Sequence, residues 1–130
     1  MGNSLFYKEL GKLLYAIAKA DGNVGKKEFS AMKEIVKNEL VPHETHRDQF
    51  GTDVAFYTEM EFEYLEENFG DAQSAFHSFL DFVELHKSSI TPQLREMIKN
   101  ISARIADSEY GINKKERAFL EKLNEKIKGL

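Results

Sequence analysis

The feature that most constrains this chain is a local pattern that it carries twice. Laying Ile17 over Ile105 aligns Ile17-Ala18-Lys19-Ala20-Asp21-Gly22-Asn23-Val24-Gly25-Lys26-Lys27-Glu28 with Ile105-Ala106-Asp107-Ser108-Glu109-Tyr110-Gly111-Ile112-Asn113-Lys114-Lys115-Glu116. Each copy reads as a helix end, a corner and a new helix. Gly22 and Gly111 sit where a helix closes through the left-handed conformation. Gly25 and Asn113 stand at the next N-cap, and Glu28 and Glu116 fall at N3, where a carboxylate reaches back to the free N–H of the cap. Val24 and Ile112 precede the caps as buried pins, and Phe29 completes an apolar staple that Arg117 cannot.

The apolar spacing between and around the corners is helical. Leu5, Phe6, Leu10, Leu13, Leu14, Ile17 and Ala18 predict a first helix over 5–20, capped by Ser4. Phe29, Met32, Ile35, Val36 and Leu40 predict a second over 26–40 that stops before Pro42. Residues 41–52 lack a period and read as a loop or a short helical turn. Thr58-Glu59-Met60-Glu61 has capping-box form, predicting a helix over 59–69 with Gly70 as its left-handed terminator. The alternation Met60, Phe62, Tyr64 also suits a strand. Asp71 caps a run to Leu85, Thr91-Pro92 opens a helix through Ile105, and the last helix spans 114–128. The expectation is an all-α, compact multi-helix bundle with two pseudo-symmetric terminal hairpins, folded as one domain over 1–130, since a domain takes roughly 100 to 200 residues.

Composition then removes whole classes of function. Without cysteine there is no thiolate zinc site, iron–sulfur cluster or cysteine nucleophile, which fits a reducing, cytoplasmic setting. Lys8, Glu9, Lys12 and Lys19 interrupt the start, so no export signal is expected. The longest uncharged run, 72–80, is far short of the roughly 18 apolar residues of a membrane span.

Charge is unevenly spread. Residues 48–86 hold ten acids and no lysine or arginine, whereas both ends are net basic. An acidic middle repels phosphate backbones, so no nucleic-acid partner is expected even though the last helix is lysine-rich. It suits cations or a basic partner.

Asp21 lies at a helix C-terminus, where free carbonyls disfavour a carboxylate. Either it folds over the corner in an Asx turn, or it gathers with other oxygens around a hard cation. The cation reading takes Asp21, Glu28, Asp107, Glu109 and Glu116 as metal ligands, calcium first. The stretch from Asp21 to Glu28 overlays the second half of an EF-hand loop, but Ile17 and Lys19 occupy its first ligand positions.

The doubled pattern of small residue, acid, glycine, apolar residue and glutamate, beginning at Ala18-Lys19-Ala20-Asp21-Gly22, resembles the TerB-like domain of bacterial tellurite-resistance proteins. The resemblance covers the two terminal hairpins; 41–90 matches as generic helix, and Ser108-Glu109-Tyr110-Gly111 departs from the pattern. It implies an all-helical, cytoplasmic, bacterial stress-response domain that binds or scaffolds protein partners, including membrane-associated ones such as J-domain co-chaperones. Metal binding is proposed for the family. No catalytic residue and no required cofactor come with it.

The competing enzyme reading is a metal-dependent hydrolase or oxidase built on His43, His46 and nearby carboxylates such as Asp48. His43-Glu44-Thr45-His46 is one residue short of the zinc-protease spacing, and no Glu-x-x-His pair of a dinuclear carboxylate site exists. His77 and His86, nine apart, are expected on different sides of their helix. The phenylalanines are expected mainly in the core, with some left over for an exposed groove.

Overall fold

A computed structural model describes residues 3–44, 53–108 and 111–130. Those residues form helices α1 (Asn3–Ala18), α2 (Lys26–Ile35), a π turn Val36–Leu40, the short α3 (Val41–His43), α4 (Tyr57–Glu67), α5 (Ala72–Leu85), α6 (Pro92–Ala106) and α7 (Lys114–Lys128), with single 3-10 turns before α4 and after α5. There is no strand among the described residues. The all-helical class and the two terminal hairpins, α1–α2 and α6–α7, are as the periodicity predicts. No described helix is long and apolar enough to cross a membrane.

Helix α1 is the axis of the molecule. Every residue from Leu13 to Ala18 is buried, because α4, α5, α6 and α7 all pack on it. A helix apolar around its whole circumference can be satisfied only in such a position. It lies closest to α4, and Gly11 is the reason: a Cβ there would stand 2.5 Å from the Thr58 carbonyl oxygen and 2.9 Å from the Glu61 Cβ. Across this seam the Thr58 hydroxyl donates to the Tyr7 carbonyl at 2.6 Å.

That bond corrects one expectation. Thr58 caps nothing; it is fully buried inside α4, which begins at Tyr57 after a turn capped by Asp53, whose Oδ1 accepts from the Ala55 N–H at 3.0 Å. The local capping pattern lost to a tertiary hydrogen bond. At the other end of α4, Phe69 (φ 54°) rather than Gly70 takes the left-handed conformation. The Gly70 N–H reaches the Leu65 carbonyl at 2.8 Å and the Phe69 N–H the Glu66 carbonyl at 3.4 Å, a Schellman closure set one residue earlier than predicted. Pro42 also fails to stop its helix: the π turn before it changes the register, so α3 continues to His43. Ser4 lies inside the first turn of α1, which starts at Asn3.

Of the phenylalanines in the middle of the chain, Phe62, Phe76, Phe79 and Phe82 are core and Phe69 is 85% exposed. Phe76 and Phe119 meet edge to face at 4.6 Å, tying α5 to α7.

Candidate functional site

Both corners cap the following helix with an N3 glutamate as the repeat predicts, and they then do something the repeat alone could not show: they meet. In the first, α1 ends at Ala18 and Gly22, with φ 106°, closes the turn that follows, its N–H on the Lys19 carbonyl at 2.8 Å, while the Asp21 Oδ1 accepts the Asn23 N–H at 3.3 Å in an Asx turn. Gly25, extended at φ −76° and ψ 160°, is the N-cap of α2, and its N–H donates to Glu28 Oε1 at 2.9 Å. Glycine has no side chain to return the bond, so this cap is half of a capping box. In the second corner Gly111 has φ 79°. The Asn113 N–H donates to Glu116 Oε1 at 3.0 Å, while Asn113 Oδ1 accepts the Glu116 N–H at 2.8 Å. This box is complete.

The capping carboxyls are buried, Glu28 at 4% and Glu116 at 2% exposure. Each has one oxygen held by its own corner, and the Glu116 side chain stands near enough to Glu28 to disfavour its charge. Burial is the main cause that pushes the Glu28 carboxyl from its ordinary 4.5 up to about 8, with the Glu116 side chain and the Asp21 charge adding to it and the Gly25 N–H opposing it. Asn113 Nδ2 also approaches Asp21 Oδ2 at 3.5 Å, a long contact that bridges the corners at the surface.

Of the five acids expected to gather, Glu28, Glu116 and Asp21 therefore come together. Asp107 is exposed at the end of α6, and its side chain forms no hydrogen bond or ion pair among the described residues. Glu109 lies outside the described residues. Among the described residues no group of three or more His, Asp or Glu side chains is arranged to hold a metal ion. The junction's hard oxygens suit calcium or magnesium in kind, but one free oxygen from each glutamate plus Asp21 falls short of the six to eight that calcium takes, so water would complete the shell. Chemically the junction is a buried acid, Glu28, whose proton is held more tightly than usual beside a second buried acid, Glu116.

The histidines do not build a rival site among the described residues. His43 is exposed beside a cavity of about 630 Å³ that Glu39 and Glu96 also line. Those carboxylates pair with Arg104 and, at 3.2 Å, with Lys99. His46 and Asp48 lie outside the described residues. His77 and His86 line one shallow groove between α1 and α5, contrary to expectation, because His86 is past the last turn of α5 and free of its period.

The same α1–α5 face holds a polar clip that the sequence did not announce. Ser78 donates to Glu9 Oε1 at 2.7 Å, while Lys12 Nζ lies 2.7 Å from Glu9 Oε2 and donates to Ser78 Oγ at 3.1 Å. The signal available was a lone acid, Glu9, on the apolar face of α1. No family model, curated protein or solved structure matches this chain.

Proposed function

We propose that this chain is a non-enzymatic, TerB-like binding or scaffolding domain of a bacterial, cytoplasmic stress-response system, in which the twin corners form an acid junction that takes up a proton or a divalent cation. The observation that carries this reading is the meeting of Glu28 and Glu116 at the centre of the repeat. Local capping needs each glutamate but not their contact, and burying two acids face to face costs stability unless something positive lies between them. An ion or a basic partner at the corner would relieve that cost, and its uptake would report on the relative position of the terminal hairpins.

Thermal melts at pH 8 with calcium, magnesium, manganese or zinc, each with and without chelator, test the reading. A cation that binds only the folded chain at about 100 times its Kd stabilises by about 2.7 kcal/mol. Calcium or magnesium is expected to raise the Tm of the wild type, and neither of Glu28→Gln or Glu116→Gln should respond. The cation part of the reading fails if no ion shifts the melt, or if a shift survives both substitutions.

A further inference from the structure

A second surface, sharing no residue with the corners, combines exposed apolar side chains with an acidic flank. Between α1 and α4 runs a groove of about 600 Å³ lined by Leu5, Lys8, Met60, Glu61 and Tyr64, with Ser4 and Tyr57 at its edges. Leu5, Met60 and Tyr64 are 46%, 53% and 59% exposed. Met60 and Tyr64 stand one turn apart on α4 and form a stripe on the side opposite the buried Phe62. Leu5 also lines the neighbouring groove, where Leu85 is 80% exposed, so the apolar surface continues from α4 across α1 to α5.

Two observations specify the occupant. First, α4 and α5 lie within 48–86, which has ten acids and no lysine or arginine; Glu63 and Glu67 follow Met60 and Tyr64 by three residues on the same flank of α4. Second, Glu61 lines the groove and makes no hydrogen bond or ion pair among the described residues, and its oxygens are not among the buried unpartnered polar atoms, so the carboxyl is open to the groove. Burial of the rest of the residue raises its pKa, while Lys8, which lines the same groove, and Lys12 act in the opposite sense. An accessible acid beside exposed apolar side chains, on the acidic flank of α4, matches a segment that brings both a large apolar anchor and a cation.

We infer that the α1–α4 groove is the docking site for a basic amphipathic helix of a partner protein, its apolar face on Leu5, Met60 and Tyr64 and a lysine or arginine at Glu61. Recognition of this kind reads apolar anchors at helical spacing, and charge sets the choice among helices. The inference rests on the binding-domain reading only in taking the occupant to be a protein. Loss of the cation response at the corners would leave it standing, and loss of docking would leave the corners untouched.

The test uses the full chain and a fluorescein-labelled leucine–lysine helix of about 16 residues, roughly four turns. Its comparators are the leucine–glutamate counterpart and a peptide of the same composition with its leucines dispersed around the helix. Anisotropy titrations should show saturable binding of the amphipathic basic helix and little of either comparator. Affinity should fall about tenfold or more in Met60→Ser/Tyr64→Ser or in Leu5→Ser, as expected for central anchors. In Glu61→Gln it should fall severalfold, with a shallower dependence on salt. Thermal melts of the same variants confirm folding, and the exposed Leu5, Met60 and Tyr64 should leave the Tm near wild type when replaced. The inference is overturned if the basic helix does not bind, if a comparator binds as well, or if folded groove variants bind unchanged. It is also overturned if sedimentation shows the wild type self-associating through the groove, which would make a second copy the occupant.

Discussion

The two corners share a capping plan and differ in backbone and chemistry. Both open the next helix with an N3 glutamate bonded to its own cap, but their positive-φ glycines, Gly22 and Gly111, fall one position apart when Ile17 is laid over Ile105. The first corner caps with Gly25 and packs Phe29 edge to face on Phe62 at 5.8 Å. The second caps with Asn113 and leaves Arg117 in solvent. One corner thus holds its helix by apolar packing where the other does so by a second capping bond. The feature they keep in register, the N3 glutamate bonded to its cap, is the one that places the buried acids opposite each other.

The comparison is broken most forcefully by pH. A carboxyl whose folded pKa is raised binds its proton more tightly in the native state, so its contribution to stability is full below the unfolded value of 4.5. It is lost as pH rises through about 8. That gap is worth on the order of 5 kcal/mol. Urea unfolding at pH 5, 6.5, 8 and 9 should show the wild type weakening across this window relative to Glu28→Gln. Glu116→Gln, which removes the acid that helps to raise Glu28, should make the profile shallower; a flat wild-type profile would mean that the Glu28 carboxyl holds no extra proton.

A smaller effect sharpens the packing difference. Phe29→Ala is expected to cost about 2 kcal/mol, less than the 3 to 5 typical of a fully buried phenylalanine, since the ring is half-buried. Arg117→Ala at the matching position should stay within about 0.5 kcal/mol. Equal costs in denaturant titrations would contradict the division between packing and capping. Smallest of all, Asn113→Gly turns the second cap into a copy of the first and should cost only a few tenths of a kcal/mol, against about 1 kcal/mol for Asn113→Ala.

What could be read from the sequence was whatever a few neighbouring residues decide. The corners were legible because glycine, cap and N3 acid lie within one turn of each other, and α5, α6 and α7 were legible through their caps and period. The contact between Glu28 and Glu116 was not, since their spacing along the chain contains no information about which hairpins pack together. Nor did spacing separate Asp21, which joins the junction, from Asp107, which does not. Thr58 matched a local pattern and was claimed by Tyr7 from another helix. The alternation Met60, Phe62, Tyr64 was ambiguous between strand and helix; only α4's packing on α1 shows that it divides a groove from a core. The abundance of phenylalanine pointed to a groove of that residue, whereas the groove is built from leucine, methionine and tyrosine.

The position of α1 has a consequence for how the molecule is made. Helix α1 is synthesised before α4, α5, α6 and α7, the layers that pack on it, and its last shelter comes from α6 and α7. Until those are made, its greasy girth has no lasting home. The nascent chain therefore has to keep α1 soluble while waiting for α6 and α7, a delay that favours helper proteins or temporary pairing with the α4 and α5 segments.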